Sequence, residues 1–541
     1  MKISRFLRIV ALMMIAPTIM PFALSCASNP DPAPESLESE SETPTQKATT
    51  KKKPSSTATS DKPTSHKLDL SVNTLPDYMG KPFDHVAVDI GEGSYMNIFK
   101  DTSLEEYNSY KALLESNGYT LYTTNVIGEN HFATYYNDSQ IVNAMFINYT
   151  FDYGEGTEPI IYNEARITVD SRADFDLPAL EEENVYETTS APMLTLISDS
   201  DIYWPGRMGY IYQLADGSFF VIDGGYTDGN NGSSGGVREP GISTGCKSSA
   251  PYVMNVLKEY APDPDNIVIA AWLITHMHED HFGAFVDLAL NRDYEEDKSR
   301  ITIEKVIYST SCDENTKHTS ADQVRWTNVF KRSIAEEGWG DRIMSKTKAH
   351  PGQKFFLRDL TLTVYTSEDL LHFGARDPFA DKKYINNTSI VTKVSFMGKE
   401  ALYMGDSSAA SNPGVLAPIY NTSLKADILQ TAHHGYGDTD AGTVYKYVQP
   451  EIVFWPSCAQ HFYGYEIGYM ENSREYGGTK NVGFNDILFA DGIKHYIHGS
   501  KNLTFTDFET WEPTVVPDEL QVYDKDTWVA DVNYVTNNNY R

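Results

Sequence analysis

Between residues 275 and 283 the chain reads Thr275-His276-Met277-His278-Glu279-Asp280-His281-Phe282-Gly283, and it arrives there straight from the apolar run Asn266 to Ile274. A short apolar run with polar flanks is read as a buried strand. Three imidazoles and two carboxylates are therefore delivered together at a strand's C-terminal end, where they must be paired or hold a cation. In a loop, His276 and His278 project to one side and suit one metal ion, while Asp280 and His281 face a second. Two such ions, roughly 3.5–4 Å apart, would share an activated water or hydroxide. The chain has 14 His in 541 residues. At that density, three within six positions after a buried strand are poorly explained as a chance polar loop.

Three further apolar runs end the same way. Phe219 to Ile222 leads into Asp223-Gly224-Gly225, Ala401 to Met404 into Gly405-Asp406, and Ile428 to Ala432 into His433-His434-Gly435. Sheets of α/β proteins build their sites at the C-terminal ends of strands. One carboxylate between two dications offsets their mutual repulsion and orients the water between them. Asp280 and Asp406 are the groups expected to orient that water. A further run ends in Phe454-Trp455-Pro456, and Trp455, His461, Tyr463 and Tyr465 either rim a substrate pocket or pack a core. Aromatic faces there would bind a quaternary ammonium group by cation–π attraction.

The His276 to His281 stretch resembles the HxHxDH signature of the metallo-β-lactamase superfamily, and the resemblance extends over residues 191–508. It implies an αββα sandwich with a mono- or binuclear metal site at the edge of its two sheets, so the fold class expected is α/β. By the same resemblance His276, His278, Asp280, His281 and Asp406 are metal ligands. Asp223 supports the metal loop through hydrogen bonds. His433-His434-Gly435 resembles the His-His-Gly motif of one branch, which includes the hydrolase domains of DNA-uptake channel proteins and the choline-phosphate esterases. One of His433 and His434 is then a ligand of the second metal; we take His434, with His433 beside it. Asn386-Asn387-Thr388-Ser389 matches that branch's Asn-Asn-x-Ser element, in which Asn387 and Ser389 brace the loop under the site. Many members add one more histidine, and His318, His350 and His372 are the candidates, none in a fitting context. The branch implies two divalent cations, zinc first, with manganese or iron also suited to His and carboxylate ligands.

The remainder places this centre on an exported body. Residues 1–25 read as a signal peptide, with Lys2, Arg5 and Arg8 ahead of an apolar run broken by Pro17 and Pro21. The run ends in Ala23-Leu24-Ser25-Cys26, which resembles a lipobox, with Ala in place of its usual Leu. Cys26 is the lipidation site that this implies, anchoring the protein to the outer face of a bacterial membrane. Residues 26–66 form a Ser/Thr/Pro-rich tether without an aromatic residue, a composition that cannot offset the entropy of ordering it. Residues 67–185 read as a small α+β domain. Its capping box Ser103-Leu104-Glu105-Glu106 starts a helix, and runs at 119–126, 132–136, 141–151 and 164–169 read as strands. Packing or recognition is its expected role. Residues 190–510 are the hydrolase domain and 511–541 a C-terminal extension. Cys246, Cys312 and Cys458 fit no metal or disulfide framework.

A net charge of −31 repels long polyanions, which argues against nucleic acid as a partner. The function expected is a metal-dependent phosphodiesterase acting on small-molecule, wall or lipid phosphodiesters. A hydrolase of carbon esters or lactones, β-lactams included, is the alternative within the fold. A lipid-tethered binding protein without catalysis is the alternative outside it.

Overall fold

The computed structural model describes residues 75–80, 88–89, 94–151, 158–197, 208–227, 248–309, 321–370, 385–407, 412–435, 442–456, 487–488, 490, 492–497, 502–514 and 522–523. The alternating aromatic and β-branched runs at the start form one antiparallel sheet of β1 (Val88–Asp89), β2 (Tyr95–Lys100), β3 (Thr120–Ile127), β4 (Asn130–Tyr136), β5 (Gln140–Phe151) and β6 (Ile160–Ser171), in the order β1-β2-β6-β5-β4-β3. Helix α1 (Leu104–Ser116) covers one face. It starts where the sequence predicts: the Ser103 side chain accepts from the Glu106 amide, and Glu106 reaches back to the Ser103 amide.

Because strand side chains alternate, the other face of this sheet is also built from specific residues. Phe132, Met145, Ile147 and Tyr149 point away from α1 and pack with Tyr365, Val391, Leu402, Leu416 and Tyr420. On β6 the same alternation places Glu164, Arg166, Thr168 and Asp170 there, all buried. They meet Lys348, His350, Glu368 and Asp369, which are equally buried.

Two eight-stranded mixed sheets follow. The first contains β7 (Met193–Leu196), β8 (Gly209–Gln213), β9 (Phe219–Asp223), β10 (Ile267–Leu273), β11 (Ile301–Ile303), β12 (Val306–Tyr308) and β13 (Lys346–Lys348). The second runs β14 (Lys354–Leu357), β15 (Leu360–Thr366), β16 (Val391–Phe396), β17 (Lys399–Tyr403), β18 (Ile428–Gln430), β19 (Ile452–Trp455) and β20 (Lys494–Ile497). The chain then returns through β21 (Leu503–Phe505), which pairs with β7, and β22 (Val522–Tyr523) closes the second sheet beside β20.

The two sheets face each other across a core of Tyr210, Phe220, Leu273, Leu362, Tyr403, Ile428, Phe454 and Phe505. Helices α2 (Ala250–Tyr260), α3 (Glu279–Leu290) and α5 (Ala321–Ile334) cover the outer face of the first sheet, with α4 (Glu295–Ser299) between the latter two. Helices α6 (Asn412–Tyr420) and α7 (Gly442–Val448) cover the second. The layers are thus α, β, β, α, the architecture expected from the sequence, and Trp511 is buried in the intersheet core.

The topology fixes the site. Strand β9 is parallel to β10, and β17, β18 and β19 are mutually parallel with Leu402, Leu429 and Val453 in line. Parallel neighbours bring all their C-terminal ends to one edge, so five chain exits converge there.

Candidate metal centre

Asp223 ends β9 in a left-handed conformation, φ 56°. A non-glycine residue held there marks strain retained for a local purpose. Its carboxylate accepts from the Thr275 amide and hydroxyl, each at 2.8 Å, and from His281 Nδ1 at 2.8 Å. Its carbonyl accepts from Trp272 Nε1. Asp223 therefore fixes the start of the 275–281 loop and the tautomer of His281.

Two groups of ligand-type side chains form at the converging strand ends, Asp280, His281, Asp406 and His434 in one, and His276, His278 and Asp406 in the other. Asp406 belongs to both through different oxygens. Its Oδ1 lies 3.1 Å from His281 Nε2 and 3.6 Å from His434 Nε2, while its Oδ2 lies 3.8 Å from His276 Nε2. His434 Nε2 is also 3.1 Å from Asp280 Oδ2. On the other side, His276 Nε2 and His278 Nδ1 are 3.1 Å apart.

The donor set fits a pair of cations. His281 donates from Nδ1 to Asp223, so its Nε2 presents a lone pair to Asp406 Oδ1. Both atoms are buried and neither hydrogen-bonds within the described residues. Two buried acceptors facing each other repel unless positive charge lies between them. The same field draws a proton onto His281: burial alone would lower its pKa, but Asp406, Asp223 and Asp280 outweigh burial and raise it well above the ordinary value. A proton and a metal ion compete for such a place. Burial lowers His276 strongly and takes His278 down to about 4, so both offer lone pairs at neutral pH. Burial would raise Asp280, but His281 and His434 hold it ionised well below its usual range.

The His-His-Gly turn decides which imidazole enters. His433 and His434 are both left-handed, at φ/ψ 48°/54° and 53°/15°. The turn is tied down by His433 N donating to Gly405 O and Ala432 N to the Tyr445 hydroxyl. His434 Nδ1 donates to the Pro456 carbonyl at 2.8 Å, which turns Nε2 toward Asp280 and Asp406. His433 instead lies at the partly exposed side, its Nε2 3.2 Å from the Asn386 amide and 3.9 Å from Asp406 Oδ2. His278 and Asp280 are also partly exposed, so the centre opens to solvent on this side.

The sequence expectations meet this geometry unevenly. Ser389 braces the loop: its hydroxyl accepts from Asp406 N and lies 3.3 Å from His276 Nδ1. It is Asn386 whose side chain approaches the His-His pair; Asn387 sits in the turn Ile385–Thr388, with its side chain outside the described residues. Trp455 does not rim a pocket. It is fully buried beneath the turn, where a Cβ on Gly435 would come within 2.5 Å of its indole. His461 and Tyr463 lie outside the described residues, as do Tyr465, His318, His372 and Cys26. His350 is no ligand here: its two ring nitrogens are each 2.7 Å from a carboxylate, Asp170 and Asp369.

One residue went unnoticed in the sequence. Gln430 Oε1 accepts from both Met404 N and Gly405 N, and its Nε2 donates to Gly405 O, so one buried amide sets the turn that carries Asp406. A glutamine inside an apolar strand three residues before His433 is the signal that could have found it.

No family model matches the chain, and no curated protein matches it. Solved structures give distant likenesses. The metallo-β-lactamase fold protein YhfI from Bacillus subtilis is 13% identical over 58% of this chain and 99% of its own, TM-score 0.31. CmlA, a diiron β-hydroxylase from Streptomyces venezuelae, is 11% identical over 59% of this chain and 54% of its own, TM-score 0.30. Zinc-bound PqqB from Methylobacterium extorquens is 11% identical over 48% and 77%, TM-score 0.27. Scores this low carry no weight for the fold or the chemistry, which rest on the layers and side chains described above.

Proposed function

We propose that this chain is a metal-dependent hydrolase of phosphodiesters, exported and held at the outer face of a bacterial membrane through lipid on Cys26. The observation that carries the hydrolase reading is Asp406, whose two carboxylate oxygens face two separate ligand sets. When bound there, two divalent cations supply Lewis-acid charge against the negative charge developing on a phosphodiester, together with an activated water.

The chain's own groups divide the remaining work. Asp280 and His434 complete one set, His276 and His278 the other, and the open side at His278, Asp280 and His433 admits the substrate. With two histidines and one shared carboxylate on that side, more positions stay available to substrate oxygens than a three-histidine set would leave. His433, whose Nε2 accepts from the Asn386 amide, is held at this open side, where its imidazole borders the departing group.

The test is hydrolysis of bis(p-nitrophenyl) phosphate by the full chain loaded with zinc or manganese, with metal content measured alongside. His276→Ala and Asp280→Asn are expected to lose at least about 100-fold in rate together with bound metal, and His433→Gln to lose rate while keeping its metal. Two bound metals with no diesterase activity, but turnover of a chromogenic cephalosporin or a simple ester, would replace this reading with ester or lactone hydrolysis. No bound metal would replace it with a binding protein. For location, Cys26→Ser is expected to move the protein from the membrane fraction to the soluble one.

A further inference from the structure

The N-terminal sheet carries a groove that the metal centre does not explain. Strands β5 and β6 have 12 residues each, a length of about 40 Å. Helix α1 has 13 residues and spans only about 20 Å. It therefore covers part of the face, packing on Ala133, Tyr135, Val142, Ala144, Ala165, Ile167 and Val169. Beyond its N-terminus no described residue covers the same face, which forms a groove of about 800 Å3. That lies within the range of about 300–1,000 Å3 usual for small-ligand sites.

The floor of the groove is set by register. His131 on β4 stands opposite Phe146 on β5, and Asn148 on β5 stands opposite Asn163 on β6. All four share the α1 face by strand alternation. Phe146 is buried, and the other three are half-buried. Neither the Asn148 nor the Asn163 side-chain amide has a hydrogen bond among the described residues. Asp101, Glu106 and Glu129 border the groove, and among the described residues no lysine or arginine lines it.

We propose that this groove binds a glycan segment that is neutral or carries ammonium groups. Two amides offer donors and acceptors to sugar hydroxyls, the half-buried His131, backed by Phe146, offers ring surface, and the carboxylate border repels an anionic ligand and attracts an ammonium group. A peptide is a poorer fit. β4, β5 and β6 are all interior strands paired on both sides, so no backbone edge is free for an added strand. The groove and the metal centre share no residue, so this site stands apart from the phosphodiesterase reading.

The test is calorimetric titration of the full chain with tri-N-acetylchitotriose, with its deacetylated trimer and with trigalacturonate. Saturable binding of the two amino-sugar trimers, weak binding of the anionic one, and no change on chelating metal are expected. Asn148→Ala and Asn163→Ala should each weaken binding about tenfold, the loss of one good hydrogen bond or slightly more. Asn148→Asp, which keeps the shape, should weaken the neutral trimer less than the alanine variant does. Circular dichroism melts of each variant establish that it is folded. The proposal is overturned by no saturable binding of either amino-sugar trimer, by folded variants that bind as the parent does, by preference for trigalacturonate, or by tighter binding of an oligolysine peptide.

Discussion

At the scale of single residues, the ligand-type side chains are positioned by groups outside both clusters. Gln430 holds two amides of the Met404-Gly405 turn and returns a bond to the Gly405 carbonyl. Gln430→Leu leaves both amides buried without an acceptor, at about 1–3 kcal/mol each. It is expected to lower the melting temperature and weaken metal affinity while the ligands themselves remain; metal titration of the cobalt-substituted protein, read from its visible spectrum, would check this. Gly435 carries φ 80°, and its Cα faces the Trp455 indole. Gly435→Ala forces a methyl into that ring and is expected to displace His434, halving bound metal in elemental analysis. A variant that keeps two metals would show that the turn can shift without carrying His434 away.

At the scale of elements, the N-terminal sheet is joined to the sandwich by buried ions rather than by apolar contact alone. His350 is held between Asp170 and Asp369, Arg166 pairs with Glu164 and donates to the Asp369 carbonyl, and Lys348 pairs with Glu368. Burial alone would lower His350, but the two carboxylates outweigh it and raise its pKa to about 10. A group whose pKa is raised on folding contributes stability in full below its unfolded value, near 6.5, and loses it as pH rises through the folded one. Burial would raise Asp170, yet His350 and Lys348 hold it low, so its contribution is lost as pH falls below the ordinary carboxylate range. His350→Gln strands two buried carboxylates, and breaking such a cluster costs about 3–5 kcal/mol. Thermal melts are expected to show the variant well below the parent at pH 7, with the gap closing as pH approaches 10. A gap independent of pH would mean that His350 is neutral in the folded protein.

At the scale of the whole molecule, the strand ends that carry ligands come from both sheets, so the centre ties the halves of the sandwich together. Ligands that bind only the folded state stabilise it by about 4 kcal/mol at a thousand times their dissociation constant. Chelation is accordingly expected to lower the melting temperature by several degrees and to restore it on adding zinc, which calorimetry would show. Much of this architecture was legible in the chain. The apolar runs, the polar residues closing them and the capping box at Ser103 are local, and their periods survive in any fold that buries them. Four of the six strands of the first sheet and its one helix fell where their patterns put them, because alternation sets a strand's faces before anything packs on it; β1 and β2 went unread. What the chain alone left open turned on contacts distant in sequence. Whether His433 or His434 enters the centre depends on the Pro456 carbonyl, 22 residues on. Trp455 reads as pocket rim or core until the His-His-Gly turn is laid over it, and the partners of His350 stay unknown until Asp170, 180 residues earlier, closes on its ring. Sequence determined which side chains are delivered to the sheet edge, since that follows from strand periodicity. Only the tertiary structure decided how each ring is turned, because a ring's orientation is fixed by the partner of its other nitrogen, and those partners come from other parts of the chain.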